Sequence, residues 1–310
     1  MTLRLGTRGS TLAMAQSRTV ADALTAATGE AVEVVEIVTA GDRSDAPIPQ
    51  LGVGVFVSAL RDALVAKEID FAVHSYKDLP SAPADGLTIA AVPLREDPRD
   101  ALITRDGRQL AELGPGTRIG TGAARRIAQL RGLGRGLECL PVRGNVDTRL
   151  RKLADGEYDA LVLATAGLRR IGRADEITEV LDPMLMLPAP AQGALAIECR
   201  TDAVLAGVPT VELLSTLDDE HTRAAVVAER ALLATLEAGC SAPVAAFAVV
   251  AEAEDGEYEI YLRGGVFSPD GSVAIRLSAT GTLTDAAAVG RRLAADLLAE
   301  GADIALGVPA

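Results

Sequence analysis

The stretch Val73-His74-Ser75-Tyr76-Lys77-Asp78-Leu79-Pro80 places a histidine, a serine, a lysine and an aspartate directly after an apolar run, residues 69–73. The run reads as a short buried strand, and Pro80 prevents its simple continuation. Polar groups just past a buried strand suggest a site, because ligands of open α/β sheets bind outside the strands' carboxyl ends. Lys77 is one of three lysines, with Lys67 and Lys152; arginine supplies the other cations. The competing reading of Lys77-Asp78 is a solvated turn pair.

Charge segregation marks a second group. Between Gly114 and Arg151 stand eight arginines and two acids, Glu138 and Asp147, a local balance of +6 in a chain of net charge −13. Several of these arginines fall at helix starts, where the macrodipole already favours anions, so a cation there does not help the helix. Guanidinium groups bind carboxylates or phosphates bidentately, in a way lysine does not reproduce. The functional reading is a cleft for a ligand with several negative groups. An arginine-rich solvated face would account for Arg131 and Arg135, but poorly for the arginines in turns. The window holds no Phe, Tyr or Trp on which a nucleic-acid strand could stack, and the acidic surroundings oppose such binding. No phosphate-loop or dinucleotide motif stands in its required context. A polycarboxylate small molecule fits better than either.

Cys240 is the third candidate. It follows Gly239, which is predicted to cap a long helix over 218–238. A thiol on such a loop is accessible to covalent chemistry. Cys139 and Cys199 lie inside apolar strand runs and read as packing residues. His74, at a strand end, reads as packed or hydrogen-bonded, and His221 as a surface residue. Three scattered cysteines and two histidines argue against a disulfide framework or a metal site.

The elements that must position these groups alternate between strand and helix. Residues 2–6 read as strand, and Thr7-Arg8-Gly9-Ser10 as a turn leading to a helix over 12–27 that stops at Gly29. Residues 32–39 read as strand. The 14 residues 41–54 form a long loop with two readings, a lid or a plain surface loop. A helix over 56–66 leads to the Val73–Pro80 stretch and to a strand over 87–92. Arg95-Glu96-Asp97-Pro98-Arg99-Asp100 reads as a charged crossing between domains. Strands over 118–120, 137–142 and 160–164 then end in glycine-bearing, arginine-carrying turns, which is doubly wound patterning. After the breaker cluster 187–193, a strand over 194–198 is predicted to return to the first sheet. Three strands and a terminal helix over 285–300 complete a small α+β domain.

The expected architecture is α/β: two doubly wound, hinge-linked lobes, periplasmic-binding-protein-like, plus the α+β C-terminal domain. The expected domains are 1–94 with 194–214, then 99–188, then 217–310. The overall acidity argues against general affinity for nucleic acid or anionic membranes. The N-terminus shows no apolar signal segment of the usual length, and no stretch approaches the roughly 20 apolar residues of a membrane span. The expectation is a soluble, reduced, cytoplasmic protein.

In order along the chain, Thr7-Arg8-Gly9-Ser10 with Gln16, the Val73–Pro80 stretch, Arg95-Glu96-Asp97-Pro98-Arg99-Asp100-Ala101, Gly120-Thr121 and Arg125-Arg126 resemble the porphobilinogen deaminase (hydroxymethylbilane synthase) family. Arg143-Gly144-Asn145-Val146-Asp147-Thr148-Arg149, residues 164–168, Gln192-Gly193-Ala194 and Leu236-Glu237-Ala238-Gly239-Cys240-Ser241-Ala242-Pro243 extend the resemblance over nearly the whole length. It implies a transferase of tetrapyrrole (haem and porphyrin) biosynthesis. Such an enzyme joins four porphobilinogen units head to tail, releasing ammonia each time, and hydrolyses the chain to hydroxymethylbilane. It also implies a dipyrromethane cofactor held by a thioether to Cys240, no metal, and a monomer.

The same resemblance implies roles. Asp78 falls on the catalytic aspartate. A fixed carboxylate accepting a pyrrole N–H would stabilise the cation left as ammonia departs, and it can exchange protons. Lys77, Ser75, Thr121, Arg125, Arg126 and Arg149 would hold the cofactor. Arg8, Ser10, Gln16, Arg143 and Arg170 would hold incoming or growing pyrroles, and Phe56 would close over them. The chain departs from the commoner pattern at Val53, where many members carry lysine, and at Gly122-Ala123, where a serine pair is usual. An alternative from another class is a two-lobed solute-binding or ligand-sensing protein for a polycarboxylate. A further rival, a cysteine-nucleophile hydrolase, would need a histidine near Cys240.

Overall fold

The computed structural model describes residues 2–38, 55–205, 207–237, 242–254 and 256–306, with backbone alone at 55 and 56. The predicted lid over 41–54, with Val53, lies outside the described residues. By compactness the chain forms two units, Met1–Arg95 with Ala194–Arg223 and Glu96–Gly193 with Ala224–Ala310.

In the first unit, strand Thr2–Thr7 pairs in parallel with Ala31–Glu36 on one side and Phe71–Ser75 on the other. Strand Leu195–Arg200 then enters antiparallel between Phe71–Ser75 and Leu87–Ala91, as expected of the returning strand. Alternate residues of a strand face opposite sides of its sheet. Phe71 and Val73 accordingly pack with Leu3, Leu5, Val20 and Leu24 on one face. Ala72 packs with Leu60, Leu64 and Ile69 on the other. Helices Thr11–Thr28 and Val55–Val65 supply these two faces. Ser10 starts the first helix by accepting the Ala13 N–H at 3.3 Å, and Gly29 ends it at φ 75°.

The second unit repeats the plan. Strand Arg118–Gly120 pairs in parallel with Glu138–Leu140 and Ala160–Ala164. Strand Asp100–Thr104 runs antiparallel between Ala160–Ala164 and Glu179–Val180. The sequence reading ended a charged crossing at Asp100. Asp100 instead opens this strand, because Ala101, Leu102 and Ile103 are all buried. Leu150 and Leu153 of helix Val146–Ala154 pack one face of the sheet, and Leu130 of helix Ala124–Gly132 packs the other.

The two sheets share one pattern of parallel and antiparallel neighbours and also one clamp. Arg4, within strand Thr2–Thr7, has its backbone N–H and guanidinium both bound to Asp70, at 2.8 and 2.9 Å, and donates to the Lys67 carbonyl. Arg118 binds Asp159 in the same way, at 3.0 and 2.8 Å, and donates to the Gly156 carbonyl. Lys67 and Gly156 hold equivalent left-handed backbone, φ 62° and 82°.

Within the second unit, strands Val244–Glu252, Tyr258–Phe267 and Ala274–Thr282 form an antiparallel sheet. Helices Glu220–Thr235 and Ala286–Ala299 cover one face through Ala228, Leu232, Val289 and Leu293, a core of its own. The predicted helix over 218–238 is shorter where described. Asp219 accepts the Thr222 N–H at 2.7 Å and so starts the helix after itself, while Asp218 accepts the Val92 N–H at 2.7 Å. The predicted cap at Gly239 lies outside the described residues.

Candidate active site

In the first unit the chain leaves strand Phe71–Ser75 into the single turn Tyr76–Asp78. The Tyr76 N–H donates to the Ala194 carbonyl at 3.0 Å, and Leu79 N–H to the Tyr76 carbonyl at 3.2 Å. Tyr76 and Leu79 are buried, Lys77 is half-buried and Asp78 is exposed. Two buried anchors thus fix the backbone of a short turn and present the lysine and the aspartate between them. Gln16 Nε2 donates to Ser75 Oγ at 2.9 Å, so two residues assigned to binding from sequence meet directly. Ser10, assigned to substrate, spends its side chain on the helix cap. Arg8 is half-buried at the preceding turn.

Beneath this turn lies a group that sequence reasoning missed. Glu198 is buried and accepts Arg61 Nε at 3.1 Å and Arg61 Nη2 at 2.8 Å. His74 Nε2 lies 3.1 Å from the other Glu198 oxygen. Burial opposes ionisation of Glu198, but its bonds to His74 and Arg61 prevail and hold it below the usual carboxylate range. His74 is therefore a packed, hydrogen-bonded residue behind the turn. Cys199 is buried in the same strand, and burial raises its thiol to about 11, which suits an inert packing residue.

In the second unit Arg125 and Arg126 lie in the first turn of helix Ala124–Gly132 and are both buried. Neither faces solvent as a bare cation. Arg125 Nη1 donates to Asp100 Oδ2 at 2.7 Å, and Arg126 Nη2 to Asp100 Oδ1 at 2.7 Å. Each guanidinium also binds a carbonyl, that of Leu187 at 2.6 Å and that of Val162 at 2.9 Å. Asp100 and its neighbour Gln192 were not assigned from sequence. The available signal was an acid at the head of a fully apolar strand, which demands a buried partner.

Arg149 and Arg170 differ from this pair. Arg149 Nε donates to the Gly144 carbonyl at 2.8 Å, and Arg170 Nη2 to the Gly193 carbonyl at 2.6 Å. Among the described residues neither is bonded to a carboxylate. Burial, and for Arg149 the nearby Arg126, pushes both guanidinium groups down, Arg170 to about 10. Partly desolvated cations without carboxylate partners make a receptive set for a ligand's carboxylates. Thr165, at the end of strand Ala160–Ala164, has a buried hydroxyl with no partner among the described residues. Thr121 is fully buried, its oxygen 3.4 Å from the Ala123 N–H, and Arg143 is exposed. Ala123 starts its helix without a side-chain cap, the direct result of the Gly122-Ala123 departure. Cys240 and the Phe56 side chain lie outside the described residues.

The family model described as "Porphobilinogen deaminase, dipyromethane cofactor binding domain" matches residues 3–206, and "Porphobilinogen deaminase, C-terminal domain" matches residues 223–299. The chain belongs to the porphobilinogen deaminase family. A porphobilinogen deaminase of Nocardia farcinica is 58% identical over 97% of this chain and 86% of its own length. One of Mycobacterium marinum is 56% identical over 97% of this chain and 95% of its own. Among solved structures, the methionine-binding protein MetQ matches 70% of this chain and 89% of its own at 13% identity and a TM-score of 0.44, too distant to bear on function. As a member of the porphobilinogen deaminase family, the chain joins porphobilinogen units with release of ammonia to give hydroxymethylbilane in tetrapyrrole biosynthesis, and it carries the family's dipyrromethane-binding domain. The solute-binding alternative is not favoured.

Proposed function

We propose that Asp78 is the catalytic carboxylate of this reaction and that Cys240 carries the dipyrromethane as a thioether. What supports the reading is the separation of charge types. Asp78 is an exposed carboxylate on an anchored turn, and among the described residues the half-buried guanidinium groups of Arg149 and Arg170 have no carboxylate partner. The donor set suits a ligand bearing acetate and propionate groups. Arg125, Arg126, Arg149 and Thr121 would hold the cofactor, together with Lys77 and Ser75. Arg8, Ser10, Gln16, Arg143 and Arg170, with Phe56, would hold substrate. The dipyrromethane, when bound, supplies the free α-carbon to which the first unit is added.

In each addition the carbon–nitrogen bond of the substrate's aminomethyl group breaks, a carbon–carbon bond forms at the free α-carbon of the last ring of the chain, and the α-proton leaves; ammonia and that proton depart together as ammonium. Asp78 accepts the pyrrole N–H while positive charge develops, and it holds a proton in transit between the α-carbon and the departing amine. The half-buried arginines bind the substrate carboxylates and fix the reacting carbons in register. The reading extends to a cytoplasmic monomer of three domains, bounded as in the sequence reading, that engages neither nucleic acid nor membrane; the net charge of −13 supports this. Among the described residues no helix is long and apolar enough to cross a membrane, and no cluster of three His, Cys, Asp or Glu side chains is arranged to hold a metal.

Asp78→Ala tests the assignment. The side chain is exposed, so the variant should fold with an unchanged thermal midpoint while turnover falls at least about 100-fold. A turnover within a few-fold of the parent removes Asp78 from the role. Cys240→Ser should yield protein whose intact mass lacks the two linked pyrrole units present in the parent; retained units would place the tether elsewhere.

A further inference from the structure

The Asp100 carboxylate is fully buried and accepts four hydrogen bonds. They come from Arg125 Nη1 at 2.7 Å, Arg126 Nε at 3.1 Å, Arg126 Nη2 at 2.7 Å and Gln192 Nε2 at 2.8 Å. Gln192 also donates to the Pro98 carbonyl at 2.7 Å, so it braces the start of the Asp100 strand as well as its side chain. Its own backbone is fixed by the next residue. Gly193 has φ 87°, and a Cβ there would lie 2.3 Å from the Glu96 carbonyl oxygen. Two adjacent guanidinium groups at 5% and 7% side-chain exposure, in the first turn of a helix, repel each other and the helix dipole. One carboxylate between them leaves a net charge of +1. Among the described residues Arg125 keeps Nε and Nη2 free of hydrogen-bond partners, because Asp100 and Leu187 both bind Nη1.

We propose that Asp100, oriented by Gln192, is the positioning residue of the arginine pair: it leaves Nε and Nη2 of Arg125 unused and holds the cluster at a single positive charge, so that one ligand carboxylate completes it. This rests on the reading of Arg125 and Arg126 as holders of the dipyrromethane carboxylates. Asp100 touches no ligand in this scheme. It acts through the two guanidinium groups, and Gln192 acts through Asp100 and through its own contact with Arg126, whose Nη2 donates to Gln192 Oε1 at 3.5 Å.

The test follows cofactor uptake rather than turnover. Full-length apoprotein is mixed with porphobilinogen, and intact mass reports the gain of two pyrrole units against time. Asp100→Asn keeps the shape but raises the cluster to +2 and loses its orientation. Uptake should slow at least tenfold. The apoprotein's thermal midpoint should also rise with added inorganic sulfate well beyond the parent's response at matched ionic strength, since the bare pair now takes a solute anion. Asp100→Glu should recover most of the uptake and abolish the extra sulfate response. Uptake at the parental rate overturns the proposal, and so does slow uptake without the sulfate response, which would make Asp100 merely structural. If Asp100→Asn does not fold, Gln192→Leu carries the test. It leaves the charges and removes the brace, so uptake should fall about three- to tenfold with a parental sulfate response, and unchanged uptake overturns the proposal. Arg125→Leu separates the two ideas. Normal uptake in that variant defeats the cofactor reading itself, whereas failed uptake there with normal uptake in Asp100→Asn defeats only the role of Asp100.

Discussion

Burial pushes the Arg170 guanidinium down to about 10, opposed by the charge of Glu96, and still leaves it cationic at neutral pH. A lysine starts lower, at about 10.4, so the same burial would push it down toward the neutral range. Arg170→Lys should therefore bind porphobilinogen with a KM that rises several-fold between pH 7 and pH 9, where the parent's stays flat. A flat KM profile for the variant would remove Arg170 from contact with the substrate carboxylates. The arginines could be singled out from sequence because eight of them crowd a short window of an acidic chain. Their partners could not. Asp100 and Glu198 are two acids among 43, and nothing in composition separates a buried carboxylate from a solvated one. Position does so: Asp100 heads an apolar strand opposite Ala164, and Glu198 stands opposite Ala72 inside its sheet. The same pairing explains why Arg125 and Arg126, legible as ligand-binding cations, turned out to hold an internal acid as well.

At the level of elements, the strand ends that carry the candidate residues were legible, since apolar runs broken by glycine-bearing turns have few other interpretations. The repeated clamp was not. Arg4 and Asp70 are 66 residues apart and Arg118 and Asp159 are 41 apart, so no fixed period links the copies. The clamp closes the central strand of each sheet, Phe71–Ser75 or Ala160–Ala164, against the parallel neighbour that carries the arginine. Its charge is open to test by pH in the second copy, where hydrogen bonds from Arg118 hold the Asp159 carboxyl down at about 2. The unfolded carboxyl titrates near about 3.9. A depressed folded value means that the stabilisation is fully present above about pH 4 and is lost as pH falls toward 2. Asp159→Asn should therefore lower the thermal midpoint by a few degrees at pH 7, with the difference from the parent shrinking between pH 4 and pH 2. A difference that persists unchanged at pH 2 would assign the effect to shape rather than charge.

For the whole chain, the informative point is which parts travel together. The small sheet domain shares its compact unit with the arginine-bearing α/β domain, and the contacts that join them are specific. Ala246 N–H donates to the Pro188 carbonyl at 3.0 Å, Arg276 binds the Met184 carbonyl and lies 5.1 Å from the Phe267 ring centre, and Phe267 packs on Ala128 and Leu187. Leu236 and Ala242, which flank Cys240 in sequence, pack in the core of the small domain. The flanks of the proposed tether are thus built into the same unit as Arg125, Arg126, Arg149 and Arg170, whereas Asp78 belongs to the other. Sequence could not reveal this, because the residues that join the two domains are dispersed from 128 to 276. Glu229 is the central joint. It is fully buried and accepts the Ala191 N–H at 2.6 Å from the chain just before Gln192 and the Ala248 N–H at 2.7 Å from the small sheet. Glu229→Gln turns an amide N–H2 against one of those donors and leaves it without an acceptor, at a cost of about 1–3 kcal/mol. Calorimetry of the full chain should then show the thermal midpoint lowered, with the small domain melting as a separate, earlier step. A single transition at the parental midpoint would mean that the apolar contacts alone join the two domains and that Glu229 is not the joint.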